Sequence, residues 1–105
     1  MAQKLTSQLA EQLLSDVAPE KEFVVENGII IKNIQDLHNA IAEMSEENFS
    51  HHRNNTKNDF YNWVTDVVQD KRLAHALARA KTKKTTIKKL QRRIDSLKKI
   101  VEKRG

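Results

Sequence analysis

Between Lys81 and Gly105 the chain carries eleven lysines and arginines against only Asp95 and Glu102. Lysine and arginine in that density hold phosphates, by point charge in one case and by a planar donor fork in the other. The other residues able to do chemistry are His51, His52 and Asp59, a set that could ligate a metal or act as a general base. Adjacent histidines in an extended loop point apart, and neither an i,i+4 histidine pair nor a third ligand at zinc spacing accompanies them. Their expected role is structural, and the same holds for His38 and His75.

The basic segment calls for more than a solvated face. On a helix Lys84/Lys88, Lys88/Arg92, Lys89/Arg93 and Lys99/Lys103 are like-charge pairs at i,i+4, each costing about 0.2–0.5 kcal/mol. Asp95 and Glu102 can relieve only Lys98 and Lys99. If the helix begins near Thr85, Lys81, Lys83 and Lys84 crowd its partially positive N-terminal end. An external polyanion would offset both penalties; nucleic acid is the commonest, and an anionic membrane surface or an acidic protein would serve as well. The expected nucleic-acid contacts are therefore Lys83, Lys84, Lys88, Lys89, Arg92, Arg93, Lys98, Lys99 and Lys103, directed at phosphates of DNA or RNA without sequence preference. Of Phe23, Phe49, Phe60, Tyr61 and Trp63, all but Tyr61 fall on expected core positions, so no platform for stacking bases is indicated.

The same helix carries Ile87, Leu90, Ile94, Leu97 and Val101, an a/d pattern of just over two heptads. Isoleucine at a with leucine at d favours two-stranded pairing, so this seam sets up a rival reading, in which the helix dimerises or docks on an acidic protein. A third reading packs the stripe on Phe60, Trp63 and the preceding helix.

The segments that must carry this helix are of opposite charge. Residues 1–80 hold 8 basic and 12 acidic side chains, net −4, while residues 81–105 hold 11 and 2, net +9. The expected organisation is an acidic helical body over 1–80 and a basic amphipathic helix over 81–105, within or extending from one domain. Two glycines and one proline in 105 residues argue against a many-stranded sheet. With no cysteine there is no basis for a disulfide framework or a thiolate site. No apolar run reaches the roughly 18 residues of a membrane span, and the opening stretch MAQKLTSQLAEQLL lacks a signal peptide's continuous apolar run. A soluble cytoplasmic protein is expected.

Leu5, Leu9, Leu13, Leu14 and Val17 predict a helix over about 3–16, closed by Pro19. Asn27-Gly28, between two β-branched runs, predicts a type I′ hairpin pairing 22–26 with 29–32. Asn33 caps a helix over about 34–44, and Ser45 opens a short turn anchored by Phe49. The polar run SHHRNNTK reads as a loop. Asn58 and Asp59 start a helix whose Phe60, Trp63, Val64, Val67 and Val68 form one core-directed face. Asp70 caps the next helix, with Leu73, Ala74, Leu77 and Ala80. The fold class is thus mainly α, a small helical domain with one short hairpin at about 22–32 and a long basic C-terminal helix.

With Phe23, Asn27-Gly28, His51-His52, Asn58-Asp59-Phe60, Trp63 and Asp70 with Leu73-Ala74 in place, residues 22–80 resemble an uncharacterised domain family of archaea and bacteria. That family carries an N-D-F-x-x-W helix and a D-x-x-L-A helix. The resemblance implies a compact, mostly helical domain and no activity, and it leaves out both terminal helices. An enzyme would need a nucleophile with its base, paired acids in a pocket or a phosphate-cradling glycine loop, and none can be assembled here. No cofactor, metal or small-molecule substrate is indicated, so the chain reads as a binding protein.

Overall fold

The computed structural model describes residues 6–25 and 28–103. Its first helix, α1 (Ser7–Leu14), is opened by Thr6, whose hydroxyl accepts from the Leu9 amide at 3.1 Å. It stops earlier than Pro19 would require. Ser15 leaves the helical region and its Oγ donates to the Gln12 carbonyl at 2.6 Å, the local competition with helical bonding that serine offers at helix ends. Pro19 opens a short 3-10 turn over Pro19–Lys21. Residues 3–5 of the expected helix lie outside the described residues.

Strands β1 (Phe23–Val24) and β2 (Ile30–Ile31) pair antiparallel, Phe23 opposite Ile31 and Val24 opposite Ile30. The ladder extends one step further, with the Val25 amide donating to the Ile29 carbonyl at 3.0 Å. Gly28 has φ +73°, the positive angle glycine adopts without steric cost; Asn27 lies outside the described residues. The hairpin is shorter than its β-branched runs. One face is inward through Val25 and Ile31, while Val24, Ile29 and Ile30 are exposed.

Helix α2 (Ile34–Glu43) begins at Asn33, whose Oδ1 accepts from the Asp36 amide at 2.7 Å. Asp36 returns the favour to the Lys32 amide at 3.2 Å. The Asn33 side chain also donates to Asp16 at 2.7 Å, tying this entry to the end of α1. Ser45 caps α3 (Glu46–His52), which is longer than the expected turn. Ser50, His51 and His52 are helical and not part of a loop. Glu46 and Glu47 sit in the first turn and the histidines in the last, the charge placement that the helix dipole favours. The loop shrinks to its remainder, where Asn54 Oδ1 accepts from Thr56 and Lys57 amides.

Asn58 opens α4 (Asp59–Trp63) by accepting from the Tyr61 amide at 3.0 Å. Beyond Trp63 the backbone widens into a π-helical turn over Val64–Val68 and ends at Gln69 with φ +64°. The wider turn changes which side chains face inward. Phe60, Trp63 and Val64 are buried, whereas Val67 and Val68, expected to continue that face, are only half-buried.

Asp70 caps α5 (Lys71–Arg79), and Thr82 caps α6 (Lys83–Glu102). At 20 residues α6 is about 30 Å long, most of the 42 Å longest extent. It is the spine of the domain, with α1, α2 and α5 all packed on it. The hairpin leans on α2, and α4 with its π turn leans on α5. The core joins Ile31, Leu37, Ile41, Phe60 and Leu77 to Leu90, Ile94 and Leu97. Among the described residues no helix is long and apolar enough to cross a membrane.

Candidate nucleic-acid interface

The core face of α6 fixes where its charges go. Leu90, Ile94 and Leu97 are fully buried and Thr86 nearly so. Lys84, Lys88, Arg92, Lys99 and Lys103 are exposed on the opposite side. Their spacing of four, four, seven and four residues keeps them within an arc of about 100°, in one line of about 28 Å. Lys89 is half-buried at its flank, whereas Lys83, half-buried in the first turn, lies on the core side of the helix. Lys98 is exposed towards α2, its Nζ 3.4 Å from Gln35 Oε1.

Little on the protein neutralises this line. Among the described residues the ion pairs are His52–Asp59, Lys57–Asp59 and Arg93–Asp70, so none of the five aligned cations has a carboxylate within 4 Å. Asp95, on the same face, accepts instead from Gln91 Nε2 at 2.8 Å. The first turn of α6 contains no acid, and Lys83 and Lys84 stand there against the positive end of the helix dipole.

Arg93 does not belong with the others. Its Nε donates to Asp70 Oδ2 at 2.8 Å and its Nη2 to Asp70 Oδ1 at 3.0 Å, with the carboxylate side chain 1% exposed and the arginine 11%. A carboxylate this deep in the protein requires a partner, and the planar guanidinium satisfies both oxygens. Arg93 is a structural residue and leaves the set of expected phosphate contacts.

The Ile/Leu seam is likewise spent. Leu90, Ile94 and Leu97 lie in the core, with Ile87 and Val101 half-buried against it. Their neighbours come from α1, α2 and α5, not chiefly from Phe60 and Trp63. No second helix is needed to cover them.

A set of cations on α5 escaped the sequence reading. Lys71, Arg72, His75 and Arg79 are exposed and fall within another arc of about 100°, opposite the buried Leu73, Ala74 and Leu77. The signal was present in KRLAHALAR, a helix without an acidic residue. It was hidden by counting α5 with the net acidic first 80 residues.

His52, at the end of α3, has its Nδ1 3.0 Å from Asp59 Oδ2, an oxygen that also accepts from Lys57 Nζ at 3.1 Å. Its ring is edge-on to Phe23 with centroids 5.6 Å apart, and 5.5 Å from that of Phe60. His51 points to solvent. The pair couples the end of α3 to the start of α4. Among the described residues no three His, Cys, Asp or Glu side chains gather where a metal ion would sit. Comparison with family models, with curated proteins and with solved structures gives no match.

Proposed function

We propose that this chain is a non-enzymatic, cytoplasmic nucleic-acid-binding protein that contacts phosphates through the exposed cations of α6, largely without sequence preference. The observation that carries this reading is the line Lys84–Lys88–Arg92–Lys99–Lys103, none of whose cations has a carboxylate within 4 Å among the described residues. Its like-charge neighbours repel at i,i+4, and phosphates laid along it would remove that repulsion and release counterions. Lys89 and Lys98 flank the line and add to its field, and Lys83 adds positive charge at the start of the helix. With no aromatic residue on α6, recognition rests on charge and spacing, as suits a component of a nucleoprotein particle. The resemblance of residues 22–80 to an uncharacterised domain family adds no activity to this reading.

The test is fluorescence anisotropy of a random duplex DNA and a structured RNA with the full-length chain over a salt series. Five contacts on duplex DNA give a slope of log K against log salt of about −4.5. Replacing Lys88, Lys89 and Arg92 by glutamine lowers affinity at least tenfold and flattens that slope by about 2–3, while circular dichroism stays unchanged. Arg93 is left in place because of its bond to Asp70. Unaltered binding by the variant overturns the phosphate mechanism, and absence of binding by the wild type at low salt leaves an acidic protein as the partner to seek.

A further inference from the structure

We infer that the binding surface is built from two helices, α5 together with α6, and that its ligand is a double-stranded nucleic acid. This rests on the reading above and extends it to residues on the nominally acidic part of the chain.

The two helices form an antiparallel pair joined only by Ala80, Lys81 and Thr82. They pack directly on each other, which sets their axes about 8–10 Å apart. Each has its apolar side in the common core, and each presents cations on its exposed side: Lys71, Arg72 and Arg79 on α5, the line from Lys84 to Lys103 on α6. Lys81, in the connection, is exposed as well. The result is a row of positive charge on each of two packed helices, the one on α5 about 12 Å long.

The pair is held rigidly. At one end the Arg93–Asp70 bond fixes the start of α5 to the middle of α6. At the other, Arg53 donates from Nε to the Ala80 carbonyl at 3.1 Å and from Nη2 to the Ala78 carbonyl at 3.3 Å. Asn58 Nδ2 donates to the Leu77 carbonyl at 3.1 Å. The last carbonyls of α5 are thereby satisfied by residues outside the helix pair. On such a frame the backbone carrying the cations is in place before the ligand arrives, so the ordering cost on binding is confined to their side chains.

Two rows of cations on neighbouring helices match a ligand with two phosphate rails. A single strand has one rail and is normally held by aromatic stacking besides; neither α5 nor α6 carries a phenylalanine, tyrosine or tryptophan. A duplex offers a rail on each side of a groove, about 6 Å across for the minor and about 12 Å for the major groove of B-form DNA. One row can then serve each strand.

The experiment compares three probes of equal length, a duplex DNA, a duplex RNA and a single strand, binding to full-length wild type and two variants. One variant is Lys71→Gln/Arg72→Gln/Arg79→Gln on α5, the other Lys88→Gln/Lys89→Gln/Arg92→Gln on α6, each checked for native circular dichroism. Expected are a duplex affinity at least tenfold above that for the single strand, and loss of about tenfold of duplex affinity in the α5 variant. The salt slope should fall by about 2–3 in that variant. The tighter of the two duplexes identifies the source of the rails. Unchanged duplex binding by the α5 variant, with binding lost in the α6 variant, overturns the two-helix surface and leaves the α6 reading standing. A single strand bound as tightly as the duplexes overturns the double-stranded ligand, and no binding by the wild type overturns both readings.

Discussion

The Arg93 guanidinium holds the Asp70 carboxylate through two parallel hydrogen bonds of 2.8 and 3.0 Å across 23 residues of chain. Asp70 Oδ1 also accepts from the Leu73 amide at 3.1 Å, so the same carboxylate starts α5 and anchors it to α6. Breaking such a pair from one side leaves a buried charge without compensation, at a cost of about 3–5 kcal/mol. Arg93→Met is therefore expected to lower stability to urea by that order. Asp70→Asn keeps a side-chain cap for Leu73 and, combined with Arg93→Met, should recover a large part of the loss, because neither charge then stays buried alone. Equal destabilisation of the single and double variants would mean that the pair contributes through packing and not through charge.

Leu90 and Ile94 sit at the centre of the apolar side of α6, fully buried among α1, α2 and α5. Leu90→Ala or Ile94→Ala should cost about 2–5 kcal/mol, the transfer term plus the cavity left behind. A dimer seam makes the opposite forecast: the monomer would stay folded and only association would weaken. Chemical denaturation and light scattering on the same samples separate the two. The expected outcome is a protein that is destabilised with no change in mass. A truncation at Ala80 removes Leu90, Ile94 and Leu97 together, so charge-only substitutions are the informative way to test α6.

The side-chain caps were readable because they depend on residues three apart. Asn33, Ser45, Asn58 and Asp70 each accept from the amide expected. The helical stripe of α6 was readable for the same reason, and so was the placement of the hairpin around Gly28. What joins distant segments was not. Nothing in the basic run distinguishes Arg93 from Arg92 by type; only its place beside the Leu90–Ile94–Leu97 face turns it inward. The π turn at Val64–Val68 was hidden because VTDVV has an ordinary helical pattern, and its wider winding shows only in the bonding, such as Gln69 to Val64 at 2.7 Å. Polarity alone makes the histidines read as loop, although the helix opened by Ser45 and anchored by Phe49 extends to include them. The cations of α5 were lost in an average over 80 residues.

Lys88 stands between Lys84 and Arg92 on the exposed line, with a like charge one turn away in each direction. Each such i,i+4 pair costs about 0.2–0.5 kcal/mol in dilute salt. Lys88→Gln removes two of them at once and buries nothing new. It should raise the stability of the free protein by about 0.4–1 kcal/mol at low ionic strength. The gain should vanish near 1 M salt, where charges are screened beyond about 3 Å. The same substitution should weaken binding to duplex DNA, so stability and affinity move in opposite directions. That divergence is the signature of a surface whose charge serves a ligand at the expense of the fold. Thermal melts in low and high salt, beside anisotropy titrations of the same variant, measure both. If Lys88→Gln instead loses stability in dilute salt, a carboxylate partners this lysine in solution and the line of charge is already neutralised from within.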